Sequence, residues 1–301
     1  MKHLQGLKFV DTVARIGSIR KAADTLAITS TALNRRILAM EDELGVAIFE
    51  RLPRGVRLSA AGELLIHHAR TQLADMERLR SQIADLSGVR RGHVSIVCGQ
   101  ALLPYFMVNQ IAAYRKLHPG VTFSVMVCDR DEAVDFLASY DADIAVVFEP
   151  MRSADFQPVG VVPQSIRALM SPKHVLAKKQ SLGWSDLLST PVILPTRANG
   201  VRHLLEEALS RKGGELQPQI ESDSFDFIRN YLMNEECISF QIDIGLPSDE
   251  KTANFVSREI DQTAMPGGHL FVGQLNGRVL PTAAALFANE IVKALENRYS
   301  N

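Results

Sequence analysis

The chain has 301 residues, of which 46% are hydrophobic, and it is long enough to form more than one domain with its own core. The formal net charge of −1 is divided unevenly: residues 1–92 carry 15 Lys and Arg against 10 Asp and Glu, a net +5, whereas residues 93–301 carry 18 against 24, a net −6. No apolar run approaches the roughly 20 residues that span a bilayer, and charges interrupt the opening MKHLQGLKFVDTVARIG too often for a signal peptide, so we expect a cytoplasmic protein with no membrane partner.

Two short helical patterns separated by a tight turn follow, in GSIRKAADTLAITSTALNRRILAMEDELGVAIF. Ser18 is a suitable N-cap for the first helix, Thr29 for the second, and Gly45 a suitable C-cap for the second. The apolar face of the first helix is predicted to consist of Ile19, Ala22, Ala23 and Leu26. The apolar stripe of the second is predicted to consist of Leu33, Ile37, Met40 and Leu44.

The opposite side of the second helix is polar and cationic. Thr31 and Arg35 lie nearly opposite the stripe, with Asn34 on its flank. In a helix-turn-helix such side chains reach phosphates and base edges, and an arginine can bind guanine bidentately. The candidate DNA contacts here are Ser18, Ser30, Thr31, Asn34, Arg35 and Arg36. These residues alone leave a plain helical hairpin with a solvated face as the alternative.

The next stretch, FERLPRGVRLSAAGELL, favours DNA binding. Arg51, Arg54 and Arg57 recur at every third position around a Pro-Gly turn, which is typical of a β-wing whose arginines touch phosphates or enter a minor groove. Ser59 is then expected to cap a long helix.

From the first helix to this cap, the sequence GSIRKAADTLAITSTALNRRILAMEDELGVAIFERLPRGVRLSAAGE resembles the winged helix-turn-helix of the LysR-type transcriptional regulators, without a gap. The family usually has Pro where Thr31 stands and Ser where Asn34 stands, so the operator sequence is not transferable. The resemblance implies a winged helix-turn-helix at residues 1–59, an all-α module apart from its wing, and a C-terminal effector domain with the fold of the type 2 periplasmic binding proteins.

Residues 60–87 are predicted to form a linker helix with a coiled-coil seam. Such a seam pairs with the same helix of a second subunit or packs along its own chain, and the resemblance favours dimerisation. The candidate dimerisation residues are Leu65, Leu73, Met76, Leu79 and Ile83. The glycine- and arginine-containing residues 88–93 are predicted to be a hinge.

Residues 94–301 alternate between short β patterns and helical patterns, beginning with VSIVC, VTFSVMV and DIAVVF. This order predicts parallel, doubly wound sheets. A second set of strands and helices follows, so we expect an effector-binding domain of two α/β subdomains.

Ligands of such sheets bind where strands end and helices begin. Three junctions of this kind, together with Glu149, supply the candidate effector contacts Gln100, Ala101, Leu102, Glu149, Thr196, Arg197, Asn199, Ser222, Ser224 and Phe225. Several helix N-termini together with Arg197 suit a small organic anion. Ordinary helix capping is the alternative explanation for each of these residues.

Other chemistries lack a motif. The sequence has no Gly-rich phosphate loop and no metal-ligand spacing, so we expect no cofactor, no metal and no catalytic residues. Cys98 ends a strand near the predicted cleft and is either a reactive thiol or, more simply, a buried apolar cysteine.

We therefore predict a sequence-specific transcriptional regulator, not an enzyme, whose activity a small molecule modulates. Its expected partners are a pseudo-palindromic double-stranded DNA operator, the small-molecule effector, further copies of itself as a dimer or tetramer, and RNA polymerase. The alternative is a two-lobed solute-binding protein or enzyme with an unrelated N-terminal helical module.

Overall fold

The computed structural model describes residues 2–86, 92–211, 214–247, 253–261 and 265–299. Its contacts divide the chain into two compact units, Met1–Gly88 and Val89–Asn301. No helix within the described residues is long and apolar enough to cross a membrane. Most of the predicted hinge, residues 88–91, lies outside the described residues.

The described part of the first unit contains four helices and one β-hairpin. Its elements are α1 (Lys2–Ile16), α2 (Ile19–Thr25), α3 (Ser30–Leu44), β1 (Phe49–Leu52), β2 (Gly55–Leu58) and α4 (Ala60–Leu86). The helices α2 and α3 are the predicted helix-turn-helix, and β1 and β2 pair antiparallel as the predicted wing. All of these elements contribute to one core, in which Leu7, Val10 and Val13 of α1 are almost completely buried.

The predicted caps and most of the predicted stripe are confirmed. Ser18 Oγ accepts a hydrogen bond from the Lys21 amide at 3.4 Å, and Thr29 Oγ1 accepts one from Ala32 at 3.2 Å. Within α3, Leu33 and Ile37 are buried and Met40 is partly buried. The prediction for Leu44 was wrong, because this residue is 49% exposed in the final turn of α3, beyond the buried part of the stripe.

Glu41 anchors the wing to α3. Its Oε1 accepts hydrogen bonds from the backbone amides of Ile48 at 2.8 Å and Phe49 at 3.1 Å, the two buried residues at which the wing begins. The tip is held as closely: Gly55 has φ 127°, and a Cβ there would lie 2.3 Å from the Gly17 carbonyl oxygen. Only glycine fits both constraints.

The long helix α4 begins at the predicted cap, since Ser59 Oγ accepts from the Gly62 amide at 3.0 Å. The predicted seam is divided between two environments. Leu65 and Leu73 pack against the core of their own unit, whereas Leu79 and Ile83 are 48% and 57% exposed. The prediction that the whole seam faces a partner was therefore wrong for its first half, because α1 already covers that half. An ion pair of 2.8 Å between Arg70 and Asp11 also joins α4 to α1.

The second unit contains eleven strands and six α-helices within the described residues. Its strands are β3 (Gly92–Cys98), β4 (Val121–Val127), β5 (Ile144–Phe148), β6 (Phe156–Gln164), β7 (Ile166–Met170), β8 (Ser181–Leu182), β9 (Ile193–Pro195), β10 (Ile220–Ser222), β11 (Ile238–Ile242), β12 (Val256–Ile260) and β13 (Gly268–Leu275). Its α-helices are α5 (Val108–Leu117), α6 (Ala133–Ala138), α7 (Trp184–Ser189), α8 (Gly200–Ser210), α9 (Phe225–Tyr231) and α10 (Thr282–Tyr299). Gly92 and His93 belong to β3, where they pair with β4, so the predicted hinge extended two residues too far.

The first lobe is built on a five-stranded sheet in the order β4-β3-β5-β13-β6. The strands β3, β4 and β5 are parallel as predicted, but β13 runs antiparallel to both β5 and β6, so the sheet is mixed. The sequence did not reveal β6 because Pro158 and Pro163 interrupt it. An edge position explains how the sheet tolerates two prolines.

The second lobe is built on a four-stranded sheet in the order β11-β7-β12-β8 and the parallel pair β9 and β10. The chain enters it between Gln164 and Ile166, and β12 precedes the return to β13 of the first lobe. Both lobes contribute to one large apolar core. The predicted α/β fold with two subdomains is confirmed, and these two passages are the crossover points that the sequence left open.

Removing the Glu41 side chain is expected to destabilise the first unit. In Glu41→Ala, two backbone amides lose their acceptor, which costs about 1–3 kcal/mol for each amide left unsatisfied in a buried position. Calorimetry of the full chain is expected to show a lower melting temperature for the first unit. Glu43→Ala, which removes an exposed carboxylate from the same helix, is the control and should melt like the wild type. Equal melting of the two variants would contradict the anchoring role.

Candidate DNA-binding surface and effector cleft

The predicted DNA contacts on α3 lie on one exposed side of the first unit. Ser30, Thr31 and Arg35 are exposed and Asn34 is partly buried, because burial of Leu33 and Ile37 turns the other side of the helix outwards. Arg36 differs, since its guanidinium lies 4.9 Å from the centre of the Phe9 ring on α1. Ser18 serves as the cap of α2.

A hydrogen bond connects the wing to this surface. Arg51 donates to Asn34 Oδ1 at 2.8 Å, so the first strand of the wing is held beside α3. Arg57 pairs with Glu50 at 2.7 Å on the neighbouring strand. Arg35 and Arg54 are exposed, and neither has an ion-pair or hydrogen-bond partner within the described part of the chain. Among the predicted DNA contacts, these two arginines therefore remain free to make a further ionic contact.

The second unit has a cavity of about 330 Å³ between its lobes. Five predicted effector contacts line it: Gln100, Thr196, Asn199, Ser224 and Phe225. Gln100 follows β3 of the first lobe, whereas the other four follow β9 and β10 of the second. The rule that ligands bind where strands end and helices begin, the strand-end rule, therefore identified residues on both walls of this cavity.

The two walls are joined by a hydrogen bond across the cleft. Gln100 Oε1 accepts from the Phe225 amide at 2.5 Å, which satisfies the first amide of α9. Ser224 Oγ accepts from the Phe227 amide at 3.2 Å, and Asn199 Oδ1 accepts from the Val201 amide at 2.9 Å. Side chains of the protein itself thus occupy several of the helix N-terminal donors that were expected to hold a ligand.

Five other predicted effector contacts are not among the residues that line this cavity. Ala101 and Leu102 are buried and border a smaller adjoining pocket, and Ser222 Oγ accepts from the Ser224 amide at 3.1 Å. Arg197 has a 74% exposed side chain and pairs with Glu206 at 3.5 Å. Glu149 accepts from the His269 amide at 2.7 Å and so links β5 to β13. The prediction of an organic anion is weakened, because Arg197, the cation expected to bind it, pairs with Glu206 instead.

Sequence reasoning missed the acidic wall of the cavity. Asp129 and Glu132 follow β4 in the first lobe, and Asp223 precedes α9 in the second. The pKa of Asp129 is raised, first by its burial and then by the neighbouring carboxylates of Glu132, Asp131 and Asp223. Applying the strand-end rule to β4 as well would have found the first two of these residues.

A buried arginine supports the second-lobe wall from behind. Arg202 is 1% exposed, and it contacts Glu206 at 2.6 Å, Glu221 at 3.3 Å and the Pro195 carbonyl at 3.5 Å. These contacts tie α8 to β9 and β10, the strands that end at the cavity. Arg202 therefore supports the lining from behind and is not itself among the residues that line the cavity.

The cysteines near the cleft are not arranged for thiol chemistry. Cys98 is fully buried, and its burial raises the pKa of the thiol to about 12. Cys128 lines the cavity, and burial raises its pKa even more. Burial of both thiols, which raises the pKa of each, favours the buried-cysteine interpretation over a reactive pair. Within the described residues, no group of His, Cys, Asp and Glu is arranged to hold a metal ion.

Comparison with known proteins accounts for both units. Residues 4–63 match the model of the bacterial regulatory helix-turn-helix protein, lysR family, and residues 87–296 match the LysR substrate binding domain. The RuBisCO operon transcriptional regulator of Allochromatium vinosum is 25% identical over 70% of this chain and 69% of its own. The Escherichia coli regulator YbhD is 28% identical over 72% of this chain and 68% of its own.

Solved structures show the same fold. A full-length single-substitution variant of OxyR from Pseudomonas aeruginosa superposes with a TM-score of 0.73 at 19% identity, covering 96% of this chain and 94% of that one. Full-length CbnR in complex with its target DNA gives a TM-score of 0.64 at 16% identity. The match covers 97% of this chain and 99% of the CbnR chain. The two family matches together span most of the sequence, and the chain belongs to the LysR family of bacterial helix-turn-helix transcriptional regulators.

Proposed function

We propose that this regulator binds a pseudo-palindromic operator through α3 and the wing, and that a small molecule in the cleft between the lobes alters that binding. The observation that carries the DNA-binding part is the 2.8 Å contact between Arg51 and Asn34, which holds the wing beside α3. α3 fits a major groove, and the wing lies next to it, where it can reach the backbone or an adjacent minor groove.

Each segment has a proposed role. Residues 1–59 bind DNA, residues 60–87 form the linker and dimerisation helix, and residues 94–301 bind the effector, with a hinge that ends before β3 begins at Gly92. Operator binding requires that the protein act where the DNA is, in the cytoplasm. Activation would add RNA polymerase as a partner.

Self-association is proposed through the end of α4. Leu79 and Ile83 are exposed one turn apart on the predicted seam, so an identical helix can cover them. A dimer places two copies of α3 on the two half-sites of a palindrome. A tetramer of two dimers is the assembly that the family resemblance implies. The solute-binding and enzyme alternatives are not favoured, because the family accounts for the N-terminal unit as well as the lobes.

The role of α3 is tested with Arg35→Ala. Losing one base contact costs about 1–3 kcal/mol of specific binding, so a gel-shift assay on the protein's own upstream DNA should show an affinity lower by about tenfold or more. The melting temperature and oligomeric state should not change. Arg152→Ala is the control for net charge, because it removes from the second unit an exposed arginine that has no partner among the described residues. Undiminished operator selection by Arg35→Ala would show that α3 does not read the DNA.

The role of the wing is tested with Arg54→Ala. Because a phosphate or minor-groove contact carries little sequence information, this variant should bind all sequences more weakly. The slope of log affinity against log salt concentration should fall by about one. Affinities measured over a range of salt concentrations, on operator and on unrelated DNA, provide the check. A changed sequence preference at an unchanged slope would assign Arg54 to base readout instead.

The role of α4 is tested with Ile83→Asp. An unpaired carboxylate in a dry helix–helix interface costs several kcal/mol, so light scattering should report a smaller species, and operator affinity should fall through the loss of one half-site. Gln82→Asp adds the same charge at the adjacent exposed position, off the seam, and should retain the native assembly. A native assembly in both variants would place the interface elsewhere.

A further inference from the structure

The charge lining the cleft has one sign. Asp129 and Glu132 approach the cavity from the first lobe and Asp223 from the second, while no Lys, Arg or His is among the described residues that line it. The arginine nearest in the sequence, Arg130, borders the smaller adjoining pocket, and its Nε donates to the Glu149 carbonyl at 2.7 Å. A ligand in this cavity therefore meets carboxylates from two directions.

Three helix N-terminal amides that would favour an anion are already engaged. The amide of Phe225 donates to Gln100, that of Phe227 to Ser224 and that of Val201 to Asn199. By contrast, the carboxylate oxygens of Asp129 and Asp223 have neither a hydrogen-bond nor an ion-pair partner among the residues that the structure describes. The site thus combines carboxylates that have no partner in the described part of the chain with helix N-terminal amides that are already engaged, which favours a cation over an anion.

The two lobes are electrostatically coupled through these carboxylates. Part of the rise in the pKa of Asp129 comes from Asp223 on the opposite lobe, after the larger effects of burial and of its neighbours on the same lobe. Carboxylates that face each other repel, so an empty cleft favours separation of the lobes. A cation placed between them neutralises both walls and favours approach.

The spacing of the carboxylates suits an organic cation more than a metal ion. No group of three or more His, Cys, Asp and Glu in the described residues is arranged to hold a metal. One ammonium or guanidinium group can instead donate hydrogen bonds to separate carboxylates. A ligand with two such groups can place one at each carboxylate. A cavity of about 330 Å³ has room for such a molecule.

We propose that the effector of this regulator is a small organic cation, with an amine or guanidinium group, held between Asp129 of the first lobe and Asp223 of the second. This inference rests on the proposed function of the cleft and specifies its ligand class. Thr196 and Asn199 line the same cavity and supply polar contacts to the remainder of the molecule. The cation draws the lobes together and so prefers one arrangement of the protein, which is the requirement for a ligand to control DNA binding.

The test compares two probes of similar length and opposite charge, 1,4-diaminobutane and succinate, on the full chain. The diamine at millimolar concentration is expected to raise the melting temperature of the second unit, and succinate is not. Asp129→Asn and Asp223→Asn should each weaken diamine binding about tenfold or more, because each removes a charge-assisted contact. Asp226→Asn is the matched control: it removes the same charge from α9, where Asp226 pairs with Arg229 outside the cavity lining, and should bind like the wild type.

A second readout needs no ligand. Because like charges repel across the cleft, Asp129→Asn and Asp223→Asn should raise the melting temperature of the second unit in the absence of any probe, whereas Asp226→Asn should not. Stabilisation by succinate, no shift with the diamine, or equal diamine affinity in the wild type and both cleft variants would overturn the proposal. Operator binding without a probe is measured on the same samples: its absence counts against the proposed function, whereas its presence without a diamine response counts against the cation alone.

Discussion

The second unit depends on two passages of the chain between its lobes. Because the chain leaves the first lobe after Gln164 and returns to it at β13, the lobes remain tethered to each other, and strand ends from both meet at one cleft. The 2.5 Å hydrogen bond from Phe225 to Gln100 spans that cleft. A single neutral hydrogen bond contributes only about 1 kcal/mol, so a ligand that contacts both walls can outweigh this contact.

Electrostatics decides which ligands can exert that influence. A small molecule changes an equilibrium between arrangements only by the difference between its affinities for them. Contacts made to both lobes at once have that property, since they exist only when the walls are close. The carboxylates of Asp129 and Asp223 stand on opposite walls, so neutralising them together changes the free energy of lobe approach, whereas a contact to one wall alone does not.

The first unit follows an equally simple constraint. Burial of Leu33 and Ile37 against α1 fixes the rotation of α3 about its axis, and that rotation turns Thr31 and Arg35 outwards. The wing is then fixed beside α3 by Glu41 at its start and, at its tip, by the close contact between the backbones of Gly55 and Gly17. A polar DNA-binding surface thus results from apolar packing on its reverse side.

Local patterns accounted for what could be predicted from the sequence. The caps Ser18 and Thr29, the buried pair in α3 and the wing turn all depend on residues a few positions apart. The edge strand β6 could not be predicted because its prolines contradict strand propensity and only sheet position permits them. The acidic wall could not be predicted as a whole either, because Asp129 and Asp223 are brought together by the fold and lie 94 positions apart in the chain.

In the proposed complex, two copies of α3 read one palindromic operator. Hydroxyl-radical footprinting of the full chain on its own upstream DNA tests it most directly. We expect two protected half-sites whose centres are separated by about 10–10.5 base pairs or a multiple of that spacing, both lost at high salt. A single protected half-site, or uniform protection without sequence preference, would contradict it.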